Sequence, residues 1–141
     1  MEKDLLRLDA QLCFPLYACS REIIKRYRPF LKPLGLTYTK YIVMLVLWEE
    51  DGIGLKDIGE RLFLDSGTLT PLLKSLEEQG LITRERDPRD ERNVVINLTP
   101  AGKGLKAKAK EVPVKMAKCL SLNEEEFAAL YKGAYKILGR K

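Results

Sequence analysis

At Gly80 the spacing of apolar residues changes from the period of a helix to that of a strand. Before Gly80, four leucines follow the i, i+3, i+4, i+7 pattern, which predicts a helix over residues 67–79 with one apolar face. After it, residues 81–86 and 93–98 predict two strands around the charged turn DPRDE. The sequence therefore predicts a helix that leads directly into a hairpin. The four leucines are Leu69, Leu72, Leu73 and Leu76.

The residues before this helix predict a partner helix and a buried one. LKDIGERLF, residues 55–63, places its apolar residues on one face, and Asp65 or Ser66 is expected to cap the helix that follows. Earlier, a short strand is predicted at residues 53–55. The helix predicted over residues 37–48 is apolar nearly all round, which is typical of a buried central helix. Two short helices, a tight turn and a hairpin form a winged helix-turn-helix.

A further helix is predicted before this unit. Residues 8–32 have helical spacing, with Pro15 expected to start or kink the helix and with Pro29, Pro33 and Gly35 marking its exit. The fold class is therefore mainly α with a small β-hairpin wing.

Two more helices are predicted after the hairpin. Thr99 and Pro100 are expected to start a long helix rich in lysine and alanine. Ser121 or Asn123 is expected to open the last helix, because three glutamates follow in its first turn. We interpret residues 1–141 as one domain, since no linker or repeat interrupts the pattern.

Composition excludes several classes of protein. The net charge of +5 favours a polyanionic partner, but only weakly. No apolar run reaches the roughly 20 residues of a membrane helix, and no signal-peptide pattern is present, so a cytoplasmic protein without a membrane partner is expected. The three cysteines do not suggest a disulfide framework, and without histidine neither a zinc site nor a catalytic dyad is predicted. No cofactor is expected.

The outer face of the helix over residues 67–79 suits DNA. It carries short hydrogen-bonding side chains and one cation, which match base edges and phosphates in the major groove. A glycine there allows close approach of the backbone, whereas Pro71 costs a helical hydrogen bond. The predicted DNA-binding residues of this helix are Ser66, Gly67, Thr68, Thr70, Lys74 and Ser75.

Arginines and acidic residues alternate in the hairpin. An arginine at a wing tip can enter the narrow minor groove, and the acidic side chains are expected to shape the turn by pairing with it. The alternative interpretation is a solvated, charge-balanced hairpin. The arginines are Arg84, Arg86, Arg89 and Arg92, set among Glu85, Asp87, Asp90 and Glu91.

The segment LDSGTLTPLLKSLEEQGLITRERDPRDERNVVINLTPAG resembles the recognition helix and wing of the MarR family of bacterial regulators. This resemblance implies a homodimer that represses transcription at a pseudo-palindromic operator. Residues 8–32 and 100–139 would be dimerisation helices, and residues 37–98 the winged helix-turn-helix DNA-binding region. It also implies that Asp90 and Arg92 organise the wing, with Arg92 reaching the minor groove.

Within that family, QLCFPLYACSRE resembles the organic-hydroperoxide-resistance branch. This implies that Cys13 is a redox sensor and that organic hydroperoxides release the protein from DNA. Tyr27 and Tyr38 match positions whose hydroxyls bond the sensing sulfur, across the dimer interface, and Tyr17 is a third candidate. The alternative is an inert cysteine that packs as a small apolar residue.

The partner of an oxidised Cys13 stays open. Cys13 and Cys19 are six residues apart, about 240° around a helix, so a direct bridge would need unwinding. By resemblance, Cys119 is a candidate resolving cysteine from the other subunit, and Cys19 is a spectator. One-cysteine and two-cysteine chemistry both fit the sequence.

Three other functions compete with a peroxide-sensing repressor. One is a MarR-type repressor released by a small aromatic ligand, with Cys13 structural. Another is a thiol peroxidase, which the wing and the lack of a compact catalytic arrangement disfavour, so no enzyme is expected. The last is an interaction module that does not bind DNA.

Overall fold

The computed structural model describes residues 4–140, except the side chain of Glu91. Its strands and helices follow the predicted order, and short 3₁₀ turns lie at Leu8–Ala10 and Lys32–Leu34. The helices are α1 (Cys13–Leu31), α2 (Tyr38–Glu49), α3 (Leu55–Leu62), α4 (Ser66–Glu78), α5 (Pro100–Ala109), α6 (Glu111–Leu120) and α7 (Glu124–Leu138), and the strands are β1 (Ile53–Gly54), β2 (Ile82–Asp87) and β3 (Asp90–Leu98).

The predicted fold class, mainly α with a small wing, is confirmed. The wing is larger than a hairpin, because β1 also pairs with β3 and gives an antiparallel sheet of order β1-β3-β2. Ile53 lies opposite Ile96, and Ile82 lies opposite Leu98. The sheet therefore ties the start of α3 to the base of the wing.

The core lies between α2, α3, α4 and the sheet. Leu69, Leu73 and Leu76 of α4 are each 0% exposed, and they meet the buried residues of α2. Burial of a leucine side chain contributes roughly 1.5–3 kcal/mol, so this stripe fixes the rotation of α4 about its axis. The other residues buried most deeply in this core include Val43, Met44, Leu47, Ile58, Ile82 and Ile96.

The predicted helix caps form, and the structure decides between the alternatives. Asp65 rather than Ser66 caps α4, since its carboxylate accepts the backbone N–H of Thr68. Asn123 rather than Ser121 caps α7, in a capping box with Glu126. Thr37 at the start of α2 and Thr99 at the start of α5 are also caps, since their side chains accept backbone N–H groups.

The prediction of one helix over residues 8–32 was wrong at its start and correct within one residue at its end. α1 begins only at Cys13, so that Pro15 lies in the first turn, where no N–H donor is needed. Pro29 lies in the last turn of α1, which ends at Leu31. The chain turns at Gly35, whose φ of +70° is the left-handed conformation that glycine adopts without strain.

The prediction of one long helix after Pro100 was also wrong. α5 ends at Ala109, and α6 begins at Glu111. An unbroken helix would need an N–H from Pro113 to the carbonyl of Ala109, and proline has none. Cys119 lies in the last turn of α6, shortly before α7 begins at Glu124.

Within residues 4–140, no single helix is long and apolar enough to cross a membrane. The consecutive segments Cys13–Leu34 and Tyr38–Glu49 reach that length and apolarity only together, and they are bent by 66°.

Gly102 and Gly104 of α5 provide a matched test of the packing against the wing. A Cβ at Gly102 would lie 2.1 Å from the backbone oxygen of Leu81, whereas one at Gly104 would meet no atom within 4 Å. We expect Gly102→Ala to lower the free energy of unfolding by about 1–3 kcal/mol or more. Gly104→Ala should raise it by about 0.5–1 kcal/mol. Urea denaturation measures both, and equal effects would contradict the close approach of α5 to Leu81.

Candidate nucleic-acid interface and redox site

The outward face of α4 is polar along its whole length. Because the leucine stripe is buried, the opposite side chains face solvent. The capping carboxyl group of Asp65 is in its charged form, because hydrogen bonds from the backbone N–H and side chain of Thr68 lower the pKa of Asp65. The N–H of Thr68, 2.7 Å from the Asp65 carboxylate, is therefore already engaged within the chain. Ser66, Gly67, Thr68, Pro71 and Lys74 are exposed, and Thr70 and Ser75 are half-buried.

The tip of the wing is shaped by carboxylates that accept backbone N–H groups. Asp87 accepts the N–H of Arg89 at 2.9 Å, and Asp90 accepts the N–H of Arg92 at 3.1 Å. We expected these acidic residues to pair with arginine side chains, and they bond the backbone instead. The guanidinium groups of Arg86, Arg89 and Arg92 make no ion pair with any side chain that the structure describes.

A bulge in β3 lies beside this tip. Arg86 lies opposite Val94, whereas its neighbour Asp87 lies opposite Asp90, so residues 91–93 have no regular partners on β2. Bulges of this kind redirect side chains away from the pleat of the sheet. Arg92 lies within this bulge and is exposed.

Arg84 lies at the base of the wing and not at its tip. Its guanidinium pairs with Glu77 of α4 at 3.1 Å, and its backbone N–H donates to the same carboxylate at 3.2 Å. The side chain is only 25% exposed. In this position Arg84 joins β2 to the last turn of α4.

Three tyrosines form a cluster where α1 crosses α2. The ring centroid of Tyr27 lies 4.9 Å from that of Tyr38 and 5.7 Å from that of Tyr41. Tyr27 and Tyr38 were identified from the sequence, but Tyr41 was not. The signal for Tyr41 was its position three residues after Tyr38, which places both on one face of a helix.

The environment of the cluster keeps its hydroxyls protonated. Burial, followed by the proximity of Tyr38 and Tyr41, raises the pKa of Tyr27 to about 12. Burial and then Tyr135 raise the pKa of Tyr38, and burial and then Tyr38 raise the pKa of Tyr41. Each tyrosine therefore keeps an O–H group that can donate a hydrogen bond.

Cys13 does not meet this cluster within one chain. It is the first residue of α1 and is exposed, and Tyr27 follows fourteen residues later on the same helix. At the α-helical rise this separation is about 21 Å along the axis, far beyond hydrogen-bond reach. Tyr17 is one turn from Cys13, but it is exposed and lies beneath the guanidinium of Arg21 at 5.7 Å.

The other two cysteines are also exposed. The backbone oxygen of Cys119 accepts a hydrogen bond from Arg26 at 3.2 Å, so this cysteine lies beside the C-terminal half of α1. Cys13 is at the opposite end of that helix, and the fold does not bring the two together in one chain. Cys19 is likewise unpaired among the described residues.

Large apolar side chains are exposed near both ends of the chain. So many exposed apolar side chains indicate a candidate interaction surface, since a monomer rarely leaves large apolar areas uncovered. These side chains include Leu5, Leu6, Leu8, Leu12, Phe14, Leu16 and Tyr17 before and in α1, and Phe127, Leu130, Tyr131, Ile137 and Leu138 in α7.

Comparisons with known proteins agree with these features. The family described as "Transcriptional regulator SarA/Rot" matches residues 25–109. An organic hydroperoxide resistance transcriptional regulator of Bacillus subtilis (strain 168) is 47% identical over 135 residues, which cover 96% of this chain and 92% of that protein. Both findings confirm the resemblance that the sequence motifs predicted.

Three solved structures of AbfR, from Staphylococcus epidermidis, are 37% identical to this chain. The structure of reduced AbfR bound to DNA has a TM-score of 0.82 and covers 99% of this chain and 97% of its own. The disulfide-formed AbfR has a TM-score of 0.67, with coverages of 96% and 95%. The overoxidised AbfR bound to DNA also has a TM-score of 0.82, so the conformation described above is more similar to the DNA-bound structures than to the disulfide-formed one.

The raised pKa of Tyr27 predicts a pH dependence of stability. An unfolded chain loses the Tyr27 proton near pH 10, whereas the folded chain keeps it to about pH 12. The stabilisation is therefore complete below pH 10 and is lost as the pH rises from 10 to 12. We expect the free energy of unfolding to fall more steeply over this range in the wild type than in Tyr27→Phe. Urea titrations at stepped pH measure this, and parallel curves would contradict the buried cluster.

Proposed function

The chain belongs to the SarA/Rot family of transcriptional regulators, which has the MarR-type winged-helix fold, and we propose that it is a dimeric repressor released from DNA by organic hydroperoxides. The observation that carries this proposal is the close superposition on a DNA-bound relative, combined with an outward polar face on α4. As a DNA-binding regulator it would act in the cytoplasm.

The DNA-binding part of the proposal rests on α4 and the wing. α4 would enter the major groove, where short hydroxyl side chains and Lys74 meet base edges and phosphates. Arg92, directed outward by the bulge, would reach the adjacent minor groove, and Asp90 would hold the tip through its backbone hydrogen bond. Arg86 is exposed on the same wing, whereas Arg84 would act indirectly by fixing the wing to α4.

The dimer would be formed by the two ends of the chain. Residues 37–98 would form the DNA-binding region, with residues 8–32 and 100–139 providing the dimer interface. This assignment is supported by the exposed apolar side chains, which lie in and around α1 and α7. A second copy of the chain would cover them and place two recognition helices on the two halves of a pseudo-palindromic operator.

The sensor would be completed across that interface. Because Cys13 and Tyr27 are about 21 Å apart along α1, only a second subunit can bring a tyrosine cluster to the sulfur. Tyr27 and Tyr38 of that subunit would then donate hydrogen bonds to the Cys13 thiolate, which favour the charged form. Tyr17, one turn from Cys13, would flank the sulfur from its own helix.

Oxidation would proceed in two steps. The Cys13 thiolate attacks an oxygen of the hydroperoxide, the O–O bond breaks, and the alkoxide takes up a proton and leaves as an alcohol. The sulfur becomes a sulfenic acid. The thiolate of Cys119 from the other subunit then attacks this sulfur, an S–S bond forms, and hydroxide leaves and is protonated to water.

The disulfide would act on DNA binding through geometry. Two half-sites require a fixed spacing between the recognition helices, about one turn of DNA. A bridge between subunits rotates them and spoils that spacing. To change the protein from mostly DNA-bound to mostly free, oxidation must change the free energy of DNA binding by several kcal/mol, which a covalent bond between subunits can supply. We propose a regulator and not a peroxidase enzyme, because the matching family and the relatives are transcriptional regulators.

A groove beside Tyr38 supports a second candidate function. Its cationic side chains and apolar wall would suit a small aromatic acid. Binding of this acid would release the protein from DNA, and Cys13 would then have only a structural role. The groove is lined by Ile24, Arg28, Pro29, Lys32, Gly35, Leu36, Thr37, Tyr38 and Thr39.

Cys13→Ser separates these functions. The probe is a duplex selected from a random-sequence pool by repeated binding to the reduced protein, and fluorescence anisotropy reports binding. We expect Cys13→Ser to bind this duplex like the wild type, with affinity that falls as salt rises, because phosphate contacts release counterions. Cumene hydroperoxide should release the wild type and the control Cys19→Ser, but not Cys13→Ser. Release of Cys13→Ser by the hydroperoxide would refute the sensing role.

Cys119→Ser identifies the second thiol. After treatment with cumene hydroperoxide, the wild type and Cys19→Ser should migrate as covalent dimers in non-reducing electrophoresis, because Cys13 and Cys119 bridge two subunits. Cys119→Ser should stay monomeric in the same gel. A monomer band in the wild type would establish one-cysteine chemistry, and a dimer band in Cys119→Ser would assign the bridge to another thiol.

A further inference from the structure

The side-chain amide of one residue at the end of α4 forms hydrogen bonds with residues before and after Tyr38. Gln79, the C-cap residue of α4, donates from its Nε2 to the backbone oxygen of Gly35 at 2.8 Å. Its Oε1 accepts a hydrogen bond from the Nζ of Lys40 at 2.7 Å. Both distances are at the short end of the usual range, and each atom of the amide has the partner that its chemistry requires.

The two partners of Gln79 enclose the segment that begins α2. Gly35 forms the left-handed turn before this helix, Lys40 lies in its first turn, and Tyr38 lies between them. Tyr38 is also in contact with the ring of Tyr27 on α1. A movement of the tyrosine cluster therefore moves the chain segment to which Gln79 is bonded.

The same turn of α4 also holds the wing. Glu77, two residues before Gln79, accepts the backbone N–H of Arg84 at 3.2 Å and its Nη2 at 3.1 Å. The last turn of α4 is consequently bonded on one side to β2 and on the other to the segment that carries Tyr38. Both elements proposed to contact DNA are therefore linked at this turn to the segment that carries Tyr38.

We propose that Gln79 is a positioning residue that couples the tyrosine cluster to the recognition helix and wing. This inference rests on the function proposed above, in which Tyr27 and Tyr38 donate hydrogen bonds to the Cys13 thiolate, so that oxidation of this sulfur changes their contacts. Displacement of the Tyr38 segment would pull the end of α4 through the two hydrogen bonds of Gln79. The orientation of α4 in the major groove would then differ between the reduced and the oxidised protein.

The chemistry of the amide makes the proposal specific. Only a side chain that both donates and accepts can bond a carbonyl oxygen and an ammonium group at once. Methionine has a similar length but provides neither strong bond, so Gln79→Met removes the connection while retaining the size. Glu78 is the matched control, because it is the adjacent exposed residue and its side chain has no hydrogen bond or ion pair among residues 4–140.

The experiment compares wild type, Gln79→Met and Glu78→Met on the selected duplex, before and after cumene hydroperoxide. The measured quantity is the ratio of the oxidised to the reduced Kd. We expect the reduced Kd of both variants to stay within about threefold of the wild type, because the changes are at the surface. The ratio should fall about tenfold in Gln79→Met and stay unchanged in Glu78→Met, as expected for the loss of an allosteric coupling.

A second variant and a second readout keep the test independent of the proposed function. Lys40→Met removes one of the two bonds and should lower the ratio by a smaller factor. Amide hydrogen exchange of residues 35–40 should slow when the reduced wild type binds the duplex, and this protection should be reduced in Gln79→Met. A ratio and an exchange pattern equal to those of the wild type would refute the role of Gln79. A wild type that ignores hydroperoxide would refute the proposed function, and the exchange result would still decide on Gln79.

Discussion

The burial of one leucine stripe determines what the rest of this molecule can present to a partner. Leu69, Leu73 and Leu76 are completely buried against α2 and α3, and each contributes roughly 1.5–3 kcal/mol. A rotation of α4 by one position, about 100°, would expose leucine and bury Lys74, whose charge has no partner in the core. Because the apolar face of α4 must pack against α2 and α3, its polar face points to solvent.

Features set by local chemistry could be predicted from the sequence, and features set by distant contacts could not. The caps at Asp65 and Asn123, and the change of period at Gly80, depend on neighbouring residues only. The break between α5 and α6 is an exception: Pro113 is a local signal for it, but the lysine- and alanine-rich pattern favours one continuous helix. The spacing of Tyr38 and Tyr41 indicates a shared helix face, but the contact of Tyr41 with Tyr27 depends on the crossing of α1 over α2, which no local pattern specifies.

The candidate sites divide in the same way. The sequence identified the outward residues of α4, since they follow from the position of the leucines. It did not indicate that Arg84 lies at the base of the wing, nor that Asp87 and Asp90 bond backbone N–H groups at its tip. The bulge in β3 and the ion pair between Arg84 and Glu77 arise from strand register, which the alternation of residues leaves open.

The separation of Cys13 from the tyrosines of its own chain links sensing to assembly. In the proposed dimer, the interface that completes the sensor also sets the distance between the two recognition helices. A chemical change of the sulfur therefore acts on the distance between the two recognition helices, which must match the half-site spacing of a pseudo-palindromic operator. If both elements lay within one subunit, oxidation would have to be transmitted to the interface before the spacing could change. Placing the sulfur at the contact between subunits removes that step.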